Sequence, residues 1–273
     1  MKSLSTWLGA VLLAAVTCSS AEPPFTLALQ AYSFKDRSMV ETIETAKRLG
    51  FKAIELTPVQ NLGGAFKGSV KYADMTPQTV AAVRTYLDNC GLTVTGYGVV
   101  NENDEAGWRK QFEFVRALGI DLLLTEPPPE QLPMLDKLAQ EYKIRVMFHN
   151  HAKTSPWWNP AFMAGQVASC SEYIGAGADI GHWVAAGVDP AEGIRQLAAS
   201  RIFALHFVDV DKDGKPVPYG TGISNLDKVL DVLRSKGKPV ILTCEYEQWD
   251  DQTEKRVRAC VEWFNRHSGK NAK

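Results

Sequence analysis

Polar and ionisable residues in this sequence collect where short apolar, β-rich runs end. Four of the five histidines lie at such points, namely His149, His151, His182 and His206. Several carboxylates do the same, namely Glu55, Glu126, Asp179, Glu245 and Glu247. Imidazole and carboxylate together supply the nitrogen and oxygen donors that suit Mn²⁺, Zn²⁺, Co²⁺ or Fe²⁺. No cysteine accompanies them, so the pattern predicts one divalent metal ion rather than a structural zinc held by thiolates.

A metal ion held by these groups would define a class of chemistry. Such an ion binds adjacent oxygens of a sugar, polarises a carbonyl as a Lewis acid and stabilises an enediolate. Proton transfer at the neighbouring carbon then needs a base within hydrogen-bond reach. The residue types therefore favour a reaction next to the carbonyl of a free or glycosidic sugar, with a small-molecule carbohydrate as the partner.

The elements that position these residues follow a repeated pattern, in which β-rich runs alternate with stretches of helical period. The predicted strands are Leu27 to Phe34, Ala53 to Leu56, Thr93 to Val100, Leu122 to Glu126, Arg145 to His149, Ile174 to Asp179, Ile202 to Val208 and Pro239 to Glu245. The predicted helices are Met39 to Leu49, Thr76 to Asn89, Glu105 to Leu118, Glu130 to Tyr142, Pro160 to Ser169, Pro190 to Ala199, Asn225 to Lys236 and Thr253 to Arg266. Eight such units predict one α/β domain, a (β/α)8 TIM barrel, in which all strand ends meet on one face.

Charge and motifs exclude several other classes. The chain carries 30 basic and 31 acidic residues without a Lys/Arg run, so no nucleic-acid partner is expected. No GxGxxG follows the first strand and no GxxxxGK[ST] is present, so nothing indicates a dinucleotide or triphosphate site. No apolar stretch beyond the N-terminus approaches the ~20 residues needed to span a bilayer.

The N-terminal residues have the order of a cleaved signal peptide. Lys2 precedes an apolar run from Leu8 to Val16, and small residues follow before Glu22. We therefore expect a signal peptide over residues 1–21, a barrel domain over 22–273, and a periplasmic or extracellular location. Lipidation of Cys18 is the less favoured alternative, because Ala15-Val16-Thr17 is a poor approach to a lipidated cysteine.

Four further cysteines are predicted to be small buried apolar side chains, because they fall late in helices or inside a strand and form no CxxC. They are Cys90, Cys170, Cys244 and Cys260. An exported protein would permit one disulfide among them, and that alternative stays open.

Three segments carry a resemblance to a known family. Gly177 to Trp183, Ala186 to Pro190 and Arg201 to Asp209 resemble the sixth- and seventh-strand signature of the xylose isomerase-like sugar isomerase/epimerase superfamily. His149-Asn150-His151 resembles one branch of it. The likeness extends from the first strand to the last and is more specific for the superfamily than for a substrate.

The resemblance implies a ligand set. In relatives such as D-tagatose 3-epimerase, Glu, Asp, His and Glu on strands 5 to 8 hold the metal ion. That implies Asp179, His206 and Glu245 here, whereas the strand-5 position carries His149 in place of the glutamate. A neutral imidazole can still ligate the ion, so His149 is the fourth expected ligand.

The histidine at strand 5 bears on the expected mechanism, because both glutamates of those epimerases also exchange protons with the substrate. Glu245 is retained as one catalytic group. His151, Glu126 or Lys153 could supply the second proton transfer. Alternatively, a single base could expel a leaving group, which would make the protein a 3-ketoglycoside lyase or a dehydratase.

Five residues are expected to contact the substrate, namely His182, Glu55, Tyr32, Trp157 and Glu247. Alternatives stay open for three of them. His182 could be a loop histidine bonded to the backbone, Glu55 could support the metal site from behind, and Trp157 could cap the barrel core.

Other functions and assemblies are compatible with the same fold. Barrels of this kind often form homo-oligomers. A non-catalytic carbohydrate-binding protein is an alternative from another class. The endonuclease branch of the superfamily is disfavoured, because it needs more metal ligands and a basic DNA-facing surface.

Overall fold

Eight parallel strands form the centre of the computed structural model, which describes residues 25–269. They are β1 (Phe25–Gln30), β2 (Ala53–Leu56), β3 (Thr93–Tyr97), β4 (Leu122–Thr125), β5 (Arg145–Phe148), β6 (Ile174–Ala176), β7 (Ala204–Phe207) and β8 (Val240–Cys244). The strands pair in the order β6-β5-β4-β3-β2-β1-β8-β7. Isolated parallel bridges from Ala176 to Ile202 and from Asp179 to His206 join β6 to β7 and bring the sheet close to closure. The predicted (β/α)8 TIM barrel is confirmed.

The strands are buried on both faces, as parallel strands covered by helices require. All residues of β2, β4 and β7 are buried. Seven of the eight strands end earlier than predicted, however, and this places most of the ionisable residues just beyond them. β1, for example, stops at Gln30 because the Gln30 side chain accepts a hydrogen bond from the Tyr32 amide (3.1 Å) and turns Ala31–Phe34 into a 3₁₀ helix.

Nine α-helices surround the strands in the described part of the chain. They are α1 (Met39–Leu49), α2 (Pro77–Asn89), α3 (Glu105–Ala117), α4 (Leu132–Tyr142), α5 (Pro160–Ala168), α6 (Ile180–Ala185), α7 (Pro190–Gln196), α8 (Leu226–Ser235) and α9 (Thr253–His267). Eight match the predicted helices to within a few residues. The short helix α6 is additional, and it forms because the carboxylate of Asp179 caps it by accepting from the His182 amide at 2.8 Å.

Local sequence signals explain several helix ends. Ser38 and Glu41 form a reciprocal capping box at the start of α1. Gly50 ends that helix with φ at 92°, a left-handed conformation that costs glycine no Cβ clash. Helices α3 and α8 are amphipathic and pack one apolar side on the barrel.

Two short antiparallel hairpins extend the loops on the carboxyl-end face. Asn61–Gly63 pairs with Phe66–Ser69 after β2, and Asp209–Val210 pairs with Pro216–Val217 after β7. The two hairpins form part of the rim around the strand ends.

The sequence predicts buried apolar cysteines and an N-terminal signal peptide. Cys90, Cys244 and Cys260 are buried and Cys170 is half-buried, and none of these four forms a disulfide. The predicted signal peptide and Cys18 lie outside the described residues. Within residues 25–269, no helix combines the length and the apolar character that a bilayer span demands.

Candidate active site

His206 at the end of β7 is the centre of a buried polar cluster. Its Nε2 lies 2.9 Å from Glu55 Oε1, and its Nδ1 lies 2.7 Å from Glu245 Oε2. Gln30 donates to the same Glu55 carboxylate from β1. Because Glu55 occupies Nε2, it favours the tautomer that carries the proton there and leaves Nδ1 directed at Glu245.

Three potential metal donors meet around that Nδ1 atom. Asp179 Oδ2 lies 3.8 Å from it. Donor atoms of His149, Asp179 and His206 all lie within 4.8 Å of one another, and all three side chains are buried. Glu245 adds a fourth donor through its contact with His206. The structure thus brings together the four residues of the expected ligand set.

His149 supplies a second observation that fits a metal ion. Its Nδ1 is buried and has no hydrogen-bond partner in the described structure, which is costly for a polar atom. Burial, reinforced by His206, His151 and His182, lowers the pKa of His149 well below its usual value. The side chain is therefore a neutral imidazole, the form that ligates metals.

Three carboxylates, those of Glu55, Asp179 and Glu245, lie around His206 and need a positive charge beside them. Burial raises the pKa of Glu55 and of Asp179. Burial would lower the pKa of His206, but Glu55 and Glu245 outweigh it and hold that pKa well above the usual value. In the absence of a metal ion, the carboxylates therefore favour a second proton on His206, at Nδ1, which supplies the positive charge beside them. A divalent cation on His149, Asp179, His206 and Glu245 would take over that role, so the residues fit such an ion.

A histidine–carboxylate pair lies beside this cluster. Glu126, directly after β4, accepts from the His151 amide at 2.7 Å and contacts His151 Nδ1 with its other oxygen. Burial would raise the pKa of Glu126, but hydrogen bonds from His151 and Ser155 hold it below the usual value. The Glu126 hydrogen bond raises the pKa of His151 in turn. Such a pair orients one ring nitrogen toward the site for proton transfer.

These groups open onto one cavity of about 170 Å³ on the carboxyl-end face. Its lining includes seven of the predicted site residues: Tyr32, His149, His151, His182, His206, Glu245 and Glu247. The rings of His151 and His182 lie 4.8 Å apart across it. A smaller adjoining space is bounded by Asp179, His182, Glu245 and Glu247. The predicted convergence at the barrel mouth is therefore present.

Four predicted residues line neither space, namely Trp157, Lys153, Glu55 and Glu126, and of these Glu126 contacts the cavity residue His151. Trp157 is fully buried and donates from its indole to the Pro127 carbonyl at 2.7 Å, so it has no ring face for a sugar. Lys153 is exposed and lies over the Trp158 ring, away from the cavity. Glu55 is fully buried behind His206, where it supports that ring and has no access to substrate.

Two supporting residues at the strand ends have no role in the predictions from the sequence. Gln30 both caps the turn after β1 and binds Glu55. Asn150 fixes Asp179 from both sides, since its amide donates to the Asp179 carbonyl (3.2 Å) and accepts from the Asp179 amide (3.0 Å). A polar residue inside an otherwise apolar strand, as Gln30 is, is the signal that could have found the first.

One protein family and several solved structures are similar to this chain. The model of the xylose isomerase-like TIM barrel family matches residues 43–267. No curated protein matches the chain. An uncharacterized protein from Parabacteroides distasonis has 24% identity and a TM-score of 0.72, over 89% of this chain and 99% of its own.

Two further solved structures share the fold. L-ribulose 3-epimerase has 15% identity and a TM-score of 0.67, over 89% of this chain and 94% of its own. The probable 3-DHS dehydratase of petrobactin synthesis from Bacillus anthracis has 14% identity and a TM-score of 0.67, over 88% and 98%. Since the family model matches most of the chain and the barrel is present, the chain belongs to the xylose isomerase-like TIM barrel family.

Proposed function

We propose that this protein is a divalent-metal-dependent isomerase or epimerase that acts next to the carbonyl of a keto sugar. The observation that carries the proposal is the convergence of His149, Asp179, His206 and Glu245, in which His149 has an orphaned buried nitrogen. A metal ion on these residues would supply Lewis-acid stabilisation for negative charge developing on a substrate oxygen. Mn²⁺, Zn²⁺, Co²⁺ and Fe²⁺ are the ions suited to this donor set.

Two residues of this chain transfer the protons, one on each side of the cavity. Glu245 is the carboxylate at the cluster, and it takes the proton from the carbon next to the carbonyl. His151, oriented by Glu126, returns a proton on the other side. Glu55 holds His206 in one orientation throughout. His182, Tyr32 and Glu247 line the cavity and are placed to bind sugar hydroxyl groups.

Elimination is the second candidate reaction, and His149 is the feature that favours it. With a histidine where an epimerase carries glutamate, Glu245 is the single glutamate among the expected ligands and the only counterpart of the two glutamates that exchange protons in those epimerases. His151 can then act as the acid that protonates a departing oxygen. The fold supports either reaction, because it is shared by an epimerase and by a probable dehydratase.

A non-catalytic sugar-binding protein is the alternative from another class. It would need no metal ion and no paired acid and base. Export to the periplasm or the cell exterior, which the N-terminal sequence predicts, accords with an unphosphorylated sugar as ligand for any of these functions.

The test measures metal content and proton exchange together. The purified protein is analysed for bound metal and then incubated in D₂O with a panel of keto sugars. Deuterium incorporation with a changed stereocentre supports isomerisation or epimerisation, whereas an unsaturated ultraviolet-absorbing product supports elimination. Sugar binding without bound metal, exchange or elimination, even after metal reconstitution, would leave the non-catalytic alternative.

A further inference from the structure

A second cavity lies beside the one that holds the histidines. It measures about 320 Å³, and Val99 lines both spaces. In the loop after β2, Val59 faces the histidine-lined cavity and Pro58 faces the second one. We call the second cavity the side groove; its lining includes the polar residues Lys71, Tyr72, Asn101, Glu102 and Gln111.

Several polar groups of the side groove are open to a ligand. Lys71 is exposed and Tyr72 is half-buried at the groove. Gln111 donates to Glu102 at 2.8 Å, but its own Oε1 is buried and unpartnered. Sugar hydroxyls both donate and accept, and the half-buried Tyr72 ring offers a surface for the apolar C–H face of a sugar ring.

The side groove is connected to the proposed acid–base pair. Asn101 Oδ1 accepts from the Thr125 hydroxyl at 2.9 Å and from the Glu126 amide at 3.2 Å. Glu126 in turn holds His151. Asn101 is exposed at the groove, so one residue lines the groove and also supports the pair proposed to transfer protons.

We infer that the side groove is a second sugar subsite, and that the substrate is a glycoside rather than a free monosaccharide. The ring that reacts lies against His149, His206 and Glu245, and the group linked to it lies in the groove on the Glu126 side. The inference rests on the proposed function for the reacting ring. Two adjoining spaces, one with the proposed metal donors and one with accessible hydroxyl-binding groups, suit a two-ring ligand better than a single ring.

The test compares binding and turnover of one-ring and two-ring probes. Calorimetry of the metal-loaded protein measures affinity for glucose and for cellobiose, maltose and trehalose, and the 3-keto form of each is assayed for turnover. At least one disaccharide is expected to bind about tenfold tighter than glucose. Tyr72→Ala is expected to reduce that disaccharide-to-glucose affinity ratio by about tenfold. Tyr173→Ala, another half-buried tyrosine remote from the groove, is the matched control and leaves the ratio unchanged.

The outcomes separate this inference from the proposed function. If no disaccharide binds better than glucose, or if Tyr72→Ala lowers both affinities equally, the second subsite is overturned. If 3-ketoglucose reacts as fast as every 3-keto disaccharide, the subsite is likewise overturned while the proposed function stands. If a disaccharide binds preferentially through Tyr72 but no keto sugar reacts, the subsite stands and the proposed reaction fails.

Discussion

Glu55 on β2 and Glu245 after β8 hold opposite nitrogens of the His206 ring, at 2.9 and 2.7 Å. The fully buried Glu55 cannot reach substrate, but it decides which nitrogen of His206 faces the other donors. Partners of this kind fix the tautomer of a metal-binding histidine and raise its basicity. Substitution of Glu55 therefore tests the proposed metal site as directly as substitution of a proposed ligand does.

We expect the wild-type protein to bind about one equivalent of a divalent transition metal. Asp179→Asn and His206→Ala should each lose most of it, because each removes a donor from a buried four-residue set. Elemental analysis after gel filtration measures the content. His267→Ala, which changes the histidine in α9, is the control and should retain the metal. Equal metal content in all four proteins would refute the assigned ligand set.

Glu55→Gln should weaken metal binding by about 10- to 100-fold without abolishing it, because the His206 ring loses its charged partner but keeps its position. Competition with a chelating dye measures the metal affinity, and circular dichroism verifies the fold. Glu262→Gln on the exposed side of α9 is the matched substitution and should not change the affinity. Unchanged affinity in Glu55→Gln would mean that the contact with His206 is only structural.

His151→Asn should lower the rate of proton exchange by about 10²- to 10⁴-fold, the range that a positioned acid or base contributes. Metal content should stay unchanged, since His151 is outside the proposed ligand set. Glu126→Gln should lower the rate less, and the double variant should be no slower than His151→Asn alone, because the two residues act as one unit. Solvent deuterium exchange followed by NMR gives the rates.

Lys153→Ala is the companion to those variants. Lys153 lies over Trp158 and away from the cavity, so this variant is expected to keep the wild-type rate. A large loss of rate in Lys153→Ala, with His151→Asn near wild type, would exchange the roles assigned to the two residues.

An ion-pair network between the first and last helices should make stability depend on pH. Glu254 in α9 contacts Arg48 and Arg37 near α1, and chiefly the Arg48 hydrogen bond holds the pKa of Glu254 below its usual value. An unfolded glutamate has a pKa of about 4.3, so the contribution is complete above that pH. It is lost as the pH falls through the lower folded value, where Glu254 is protonated in both states.

Glu254→Gln should therefore lower the free energy of unfolding by about 1 kcal/mol at neutral pH, with the difference from wild type shrinking below about pH 4. Urea unfolding at a series of pH values measures it. Glu262→Gln on the same helix, which makes no ion pair in the described structure, should show no such difference. A Glu254→Gln effect that is constant with pH would show that charge pairing is not its cause.

The sequence by itself determined the barrel and most of the site face. Hydrophobic periodicity and helix-ending glycines such as Gly50 are local signals, and eight repeats of strand and helix leave few ways to close a sheet. Because parallel strands end on one face, residues that follow strands, such as His151 and Glu245, were expected to converge, and they line one cavity. That expectation needed only the topology.

Only the tertiary structure decided what each residue contacts. Trp157 was expected at the substrate but is buried under Pro127, and Glu55 was expected at the substrate but lies behind His206. Helix α6 is capped by Asp179, which is also a proposed metal ligand, and the side groove depends on two loops meeting at Val99. The physical reason is that periodicity reports which face of an element is buried. Contacts between residues 151 positions apart, such as Glu55 and His206, depend instead on how whole elements pack.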